Sequence, residues 1–248
     1  MRVALWIAAR ELRSLFLQPL AWVVLTVLLG FSSMSFWWVI GYPSANALPA
    51  IEVQSFMFTG LLFWLPLLVF LPLIAMRLIA EERQTGTIET LLTAPVTEAQ
   101  MVIGKYSAAL GFYVVLIAPF LLFLSLLARY GAVDWKAAAS GFLGLVLIGA
   151  FLLAAAMTAS ALTRNQIVAA ITGFIVVLLL YIAPALLQNQ LPTGEFWQRF
   201  GSQLDLMAAM QDFSRGVVSS ARLIYPLSGI VFCVFATARL VEASKEAS

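Results

Sequence analysis

Residues 77–105 read RLIAEERQTGTIETLLTAPVTEAQMVIGK, the longest charged interruption in a chain otherwise built of apolar runs. Between the helix breakers Gly86 and Pro95, apolar side chains recur on one helical face. That face consists of Ile88, Leu91 and Leu92. The pattern predicts a short amphipathic helix, bent at both ends, between two long apolar segments. Because an apolar stripe exposed to water usually marks a contact with a partner, the segment is suited to docking in a groove of another protein.

The C-terminal part of the same segment has the sequence pattern of a helix start. Thr97 and Gln100 fit a capping box, and Val96 and Met101 fit the hydrophobic staple that accompanies such a box. We therefore expect a new helix from about residue 97.

The charges at the near end of the segment have a simpler interpretation. Arg77 and Glu81 are spaced i,i+4, and Glu82 and Arg83 follow them. A cluster of this kind can have no role beyond fixing the point where a helix leaves the lipid, and needs no partner protein to explain it. The apolar stripe that follows the charges favours a role in partner binding as well.

The composition places the chain in a membrane. Hydrophobic residues make up 62% and charged residues 10%, against about 45–50% and about 25% in soluble proteins. With no histidine and with Cys233 alone, the usual zinc and iron–sulfur ligand sets and an internal disulfide are unavailable within this chain. The net charge of +2 is spread over scattered basic residues, which gives no nucleic-acid surface.

Apolar runs long enough to cross a bilayer recur six times. A helix needs about 20 apolar residues to span a hydrocarbon core about 30 Å thick. The runs lie at residues 20–41, 56–78, 102–128, 138–162, 166–187 and 221–240. They are continuous rather than alternating, which excludes a membrane β-barrel. The sequence thus predicts an all-α integral membrane protein with six spans, forming one domain over residues 1–248.

The placement of lysine and arginine predicts the orientation of the spans. An even number of spans leaves both termini on the same side of the membrane. Nine lysines and arginines fall on that side and five fall opposite. Because basic residues concentrate in cytoplasmic loops, we expect both termini and the segment 79–101 in the cytoplasm.

Residues 1–17 have the pattern of an amphipathic helix that lies in the membrane interface. The polar side of the helical wheel holds Arg2, Trp6, Ile7, Arg10, Glu11 and Arg13, and the apolar side holds Leu5, Ala8, Leu12, Leu15 and Phe16. The alternative is the basic start of a signal peptide. Charges that recur up to Arg13, with no small-residue cleavage site after the apolar run, favour the interfacial helix.

Residues 188–220 form the longest segment predicted on the outer side. Apolar residues recur there at helical spacing, between a candidate N-cap at Ser202 and Gly216, which fits the position after a helix end. The apolar residues are Leu206, Met210 and Phe213. We expect short re-entrant helices that dip into the outer leaflet.

The chain shows no energy source of its own. At the only Gly-Lys pair, Gly104-Lys105, Ala99 stands where a phosphate-binding loop needs glycine, and no Ser or Thr follows. Charged residues cluster at span ends rather than at the mid-span positions of a proton path. A membrane enzyme, the second class considered, would need paired acids or a nucleophile with its base inside the spans, and the spans lack both.

Two stretches resemble the permeases of ABC type-2 transporters. EERQTGTIETLLTAPVTEAQMVIGKY, residues 81–106, is similar to the cytoplasmic loop between spans two and three, with its pattern E-x-x-x-G-T-hydrophobic-E-x-L-L-x-x-P. LDLMAAMQDFSRGVVSSARLIYPLSG, residues 204–229, is similar to the outer helices and sixth-span entry of the gliding-motility and nitrous-oxide-reductase accessory branch. In layout, the resemblance covers the whole chain.

The resemblance implies that the first stretch contains a coupling helix, which sits in a cleft of a separate ATP-hydrolysing subunit. The coupling residues would be Glu81, Glu82, Arg83, Gly86, Thr87, Ile88, Glu89, Leu91, Leu92 and Pro95. Residues 1–17 would be the interfacial connector helix that touches the same subunit, with Arg2, Arg10 and Arg13. This chain would hold no cofactor, because the partner ATPase would bind ATP and magnesium.

The resemblance also implies partners and a location. Two ATP-binding-cassette ATPase subunits, a second permease chain in a homodimer or heterodimer, membrane lipid and an outer or periplasmic accessory protein are expected. The protein would be a multi-pass permease of an exporter in the bacterial inner membrane. An alternative is a non-transporting subunit that passes ATPase motion to an outer partner, and the sequence does not separate the two.

Overall fold

The fold was obtained as a computed structural model, which describes residues 2–41, 50–85, 97–129, 133–189 and 201–246. Within these ranges the chain is helical apart from short turns and contains no strand. The all-α prediction is therefore confirmed. Of the predicted coupling segment, residues 86–96 lie outside the described residues, as do 190–200 of the outer segment.

Ten helices have defined bounds in the described ranges. They are α1 Arg2–Leu17, α2 Pro19–Gly41, α3 Ala50–Thr59, α4 Leu61–Thr85, α5 Glu98–Ile117, α6 Phe120–Leu127, α7 Trp135–Ala161, α8 Gln166–Asn189, α9 Leu206–Ser214 and α10 Ser220–Glu246.

Six stretches are long and apolar enough to cross a membrane, as predicted. They are Pro19–Gly41, Ile51–Glu81, Glu98–Leu127, Trp135–Ala161, Gln166–Leu187 and Ser220–Ala243. The second consists of α3 and α4, which meet at Gly60, and the third consists of α5 and α6. The third breaks at Pro119, whose ring carries no backbone N–H to continue the ladder. The prolines within α4, α8 and α10 lie inside continuous helices.

Helix α7 forms the centre of the bundle and is the most deeply buried span. Its sequence is rich in alanine and glycine, which lets neighbouring helices approach closely. Two buried tyrosines of α5 fix its register against α7: the Tyr106 hydroxyl donates to the Ala150 carbonyl at 3.0 Å, and the Tyr113 hydroxyl to the Leu145 carbonyl at 2.9 Å. Helices α4, α5, α8, α9 and α10 all pack on α7.

Helix α9 lies against α7 and α3 with a fully buried apolar face. Leu206, Met210 and Phe213 form this face, as their spacing predicts, and Gly216 follows the helix end with φ of +83°. The sequence predicts Ser202 as the N-cap, and this prediction is wrong. The Asp205 carboxylate accepts from the Met207 and Ala208 amides at 2.9 and 3.0 Å, because aspartate at this position reaches both free amides of the first turn.

The order of the spans divides the bundle into two ends. One end, here called the α1 end, holds α1, the last residues of α4, α7 and α10, and the first residues of α5 and α8. The opposite end holds α3, α9 and the start of α7, where the Gln54 amide group bonds both backbone groups of Asp134. The basic residues predicted to share a side, among them Arg77, Arg83 and Lys105, lie at the α1 end. Which end faces the cytoplasm stays a prediction.

The contact between α5 and α7 predicts a strong effect of a single methyl group. A Cβ at residue 149 would overlap the Tyr113 hydroxyl, so Gly149→Ala must displace that ring and break its bond to Leu145. We expect a loss of about 1–3 kcal/mol in stability, the usual cost of overpacking, measured by thermal unfolding of detergent-purified protein. Gly30→Ala is the matched control, because a Cβ at residue 30 meets nothing within 4 Å. Equal stability of the two variants would contradict the packing.

Candidate functional site

Where α4 ends, five polar side chains link it to four other elements. They are Gln18, Arg77, Glu81, Arg83 and Gln166, and are called here the root cluster because they surround the last turns of α4, which precede residues 86–96 in the sequence. The cluster lies at the α1 end. Its members come from the bend between α1 and α2, from α4 and from the first residue of α8.

Arg77 connects α4 to the junction of α1 and α2. Its Nη1 donates to the Gln18 side-chain carbonyl, and its Nε lies 3.2 Å from Glu81 Oε2 one helical turn further on. The two residues, spaced i,i+4, therefore form an ion pair. Glu81 Oε2 also accepts from Gln166 Nε2 at 3.5 Å, which extends the connection to α8.

Arg83 connects α4 to the ends of two further spans. Its Nη1 donates to the Ala161 carbonyl at 2.5 Å, and its Nη2 to the Leu240 carbonyl at 3.4 Å. Ala161 is the last residue of α7, so its carbonyl has no partner within that helix. A cation at this position also interacts favourably with the negative end of the helix dipole. Arg83 thus acts as a side-chain cap for α7.

Burial and a second cation act on the Arg83 guanidinium. Partial burial lowers the pKa of Arg83 below its usual value, and the nearby charge of Arg164 lowers it further. Arginine stays protonated at any physiological pH in spite of such shifts. The Arg83 cap is therefore a permanent feature of the α1 end rather than a pH-dependent one.

The start of α5 is attached to the bundle independently of the root cluster, through its contact with α1. Thr97 caps α5 by accepting from the Gln100 amide at 3.3 Å, as the capping-box pattern predicts. Val96, the predicted staple residue, lies outside the described residues. Two turns into α5, the Lys105 side chain is only 1% exposed and lies 3.8 Å from Glu11 of α1.

Helix α1 packs on α5 through the predicted apolar side, where Leu12 lies beside Gly111. Two residues that the wheel assigns to the polar side are covered as well: Ile7 is buried, and Glu11 lies 3.8 Å from the buried Lys105 of α5. Phe16 completes the contact with an edge-on approach to Phe112 at 5.0 Å between ring centroids.

The geometry therefore ties the described residues on both sides of 86–96 to the bundle. Before the segment, the root cluster holds the end of α4 to the α1–α2 bend, α7, α8 and α10, and after it Lys105 holds α5 to α1. Glu81 and Arg83 bind the bundle with their side chains, and contact with an ATPase stays a prediction for them. The other predicted coupling residues, Gly86, Thr87, Ile88, Glu89, Leu91, Leu92 and Pro95, lie outside the described residues, as does the side chain of Glu82.

Sequence reasoning missed three members of this arrangement. The sequence analysis does not single out Gln18 and Gln166, although Gln18 is the polar residue just before the first span and Gln166 is the first residue of the fifth. Lys105 was counted only as a basic residue and as part of an unsuitable phosphate loop. Among the described residues, no cluster of histidine, cysteine, aspartate or glutamate could hold a metal ion.

Removing the Arg83 guanidinium tests the root cluster. Arg83→Met keeps the length of the side chain and leaves the Ala161 carbonyl without a donor, so we expect a loss of about 1–3 kcal/mol in stability. Arg239→Met is the control, because Arg239 is exposed and its pair with Glu242 is worth about 0–1 kcal/mol. Thermal unfolding in one detergent compares the two, and an Arg83→Met protein as stable as the control would contradict the capping role.

The Glu11–Lys105 pair is tested by a double-mutant cycle. Glu11→Gln removes one negative partner of a buried ammonium and is expected to cost about 1–3 kcal/mol. Adding Lys105→Met to that variant should restore a large part of the loss, because both charges are then gone. Unfolding free energies of the two single variants and the double variant give the coupling. Strictly additive effects would show that the two side chains do not interact.

The comparisons with known proteins agree with this architecture. No curated protein matches the chain at a significant level. A sequence model of the family described as "ABC-2 family transporter protein" matches residues 17–184. That range contains spans one to four, most of span five, the root cluster and Lys105. The branch within the family stays a prediction. Because the match covers more than half of the residues, the chain belongs to the ABC-2 family of transporter proteins.

Proposed function

We propose that this chain is the permease subunit of an ATP-binding-cassette exporter, and that separate subunits hydrolyse the ATP that drives it. The observation that carries the proposal is that the residues flanking 86–96 on both sides, Arg83 and Lys105, are bound to other helices of an ABC-2 family membrane domain. A segment held in this way can pass a displacement to the bundle. Permeases of this family normally work with ATPase subunits, which supports this kind of partner.

The proposed mechanism is mechanical rather than chemical. ATP binding closes the partner ATPases around the docked amphipathic segment and displaces it. Arg83 then carries the displacement from α4 to the end of α7 and to α10, and Arg77 and Glu81 carry it to α2 and α8. The ATPases supply the work by binding one conformation of the permease more tightly than the other, since only such a difference can shift the equilibrium.

The proposed assembly contains two ATPase subunits and two permease chains in the bacterial inner membrane, with both termini cytoplasmic. Spans α2, α8 and α10 bury a small share of their surface within the chain, whereas α7 is enclosed. Outer surfaces of this kind contact lipid or a second permease. One chain would then provide half of the route by which a substrate crosses or leaves the membrane.

The docking of the segment is tested at the centre of its apolar stripe. Leu91→Asp puts a carboxylate where the stripe would enter the ATPase cleft, and loss of a central contact costs about 2 kcal/mol or more, over tenfold in affinity. We expect co-purification of the ATPase subunits and ATP turnover to fall by at least about tenfold. Glu89→Arg, which reverses a charge beside the stripe, should act in the same direction.

The control for this experiment lies at the other end of the bundle. Val217 is 55% exposed and follows Gly216, which packs on Ala137 at the start of α7. Val217→Asp introduces the same carboxylate and should leave assembly and turnover unchanged. Normal assembly and turnover in Leu91→Asp, or a purified wild-type protein that never retains an ATPase, would overturn the proposal.

A further inference from the structure

The outward face of α1 combines two cations with large apolar side chains. Trp6 is 78% and Leu17 is 84% exposed, and Arg10 and Arg13 lie between them on the same side of the helix. The opposite face, with Leu12, is covered by α5. This outward face is called here the α1 patch. An apolar area of this kind beside paired cations indicates a contact surface rather than a solvated one.

Within the described part of the chain, the positive charges of Arg10 and Arg13 are not neutralised by carboxylates that face the same side of α1. Arg13 has no ion-pair or hydrogen-bond partner among the residues that the structure describes. Arg10 reaches Glu11 at 3.1 Å, but Glu11 is turned toward α5, where it also faces Lys105. The α1 patch therefore presents two guanidinium groups three residues apart, which places them one above the other on the helix.

The position of the patch decides which partner it fits. Only Gln18 separates α1 from the first span, so the patch lies where the chain leaves the hydrocarbon. Trp6, Arg10, Arg13, Ser14 and Leu17 border an open depression of about 790 Å³. Tryptophan favours the headgroup level of a bilayer, and arginine binds phosphate with a fork of two donors.

We propose that the α1 patch binds an anionic phospholipid of the surrounding membrane. The phosphate lies between the guanidinium groups of Arg10 and Arg13, where the Ser14 hydroxyl is available as a further donor. The acyl chains lie against Trp6 and Leu17, whose exposed surface then leaves water. The lipid fixes the height of α1 in the membrane, and hence of the α5 start that α1 holds through Lys105.

This inference rests on the interfacial position of α1 within the proposed function, and the competing occupant is an ATPase subunit. The adjacency of the patch to the first span, together with side chains more than three quarters exposed, favours lipid. A water-facing protein contact would not require tryptophan and leucine to flank the cations at the membrane boundary. The experiment below separates the two occupants.

Lipid selectivity of the detergent-purified full-length chain, without any ATPase, tests the proposal. Phosphatidylglycerol and the zwitterionic phosphatidylcholine are added in turn, and binding is followed by thermal stabilisation and by mass spectrometry of retained lipid. We expect preference for phosphatidylglycerol, reduced about fivefold by each of Arg10→Gln and Arg13→Gln, the usual effect of one basic residue at an anionic surface. Arg239→Gln, an exposed arginine at the same end of the bundle, should change nothing.

Four outcomes would overturn the proposal. They are equal affinity of the wild-type chain for both lipids, an unchanged preference in the Arg10→Gln/Arg13→Gln double variant, competition by inorganic phosphate at matched ionic strength, and displacement of the retained phosphatidylglycerol by added ATPase subunits. The third would indicate a free-anion site and the fourth a protein contact. Leu91→Asp should keep the lipid preference, so that failure of ATPase coupling and failure of lipid binding are distinguishable.

Discussion

The Ala161 carbonyl at the end of α7 needs a hydrogen-bond donor, and the arrangement of the helices at the α1 end depends on which residue supplies it. A helix end that meets other spans has little water to satisfy its last carbonyl groups, and a buried carbonyl left unpaired is costly. Arg83 supplies the donor from the last turn of α4 and at the same time reaches the Leu240 carbonyl of α10. One guanidinium therefore holds the ends of three spans together, two residues before the last described residue of α4.

Helix α7 gives that connection a rigid base. Its alanines and glycines let α4, α5, α8 and α10 approach closely, and the Tyr106 and Tyr113 hydroxyls lock α5 to carbonyl groups of its middle. A tyrosine that donates to a helical carbonyl across a dry interface fixes both the depth and the rotation of its helix. Packed cores of this kind shift between discrete arrangements rather than deforming smoothly. A displacement that reaches the end of α7 therefore moves α5 as well.

The sequence was sufficient for the features that depend on local pattern. The six spans could be predicted because each is a continuous apolar run of membrane-spanning length, and the Thr97 cap could be predicted because a capping box is written within four residues. The features that the local pattern does not predict depend on residues that are far away in the sequence. Glu11 belongs to the polar side of any helical wheel until Lys105 is known to lie buried beneath it. Gln18 and Gln166 acquire a role only once α2 and α8 are known to flank the end of α4.

The contacts that hold the residues before 86 and after 96 differ in chemistry. This difference affects how a displacement would be shared among the helices of the bundle. Before the segment, the end of α4 is tied through hydrogen bonds to carbonyl and amide groups of α7, α8, α10 and the α1–α2 bend, which constrain direction as well as distance. After the segment, α5 is tied to α1 through a buried ion pair of 3.8 Å and an aromatic contact, which tolerate small rotations better than directional hydrogen bonds do. A displacement of the segment would then move α4 and α7 together as one body, while α1 shifts relative to α5. The rotation would be taken up where the contact is least directional, between α1 and α5.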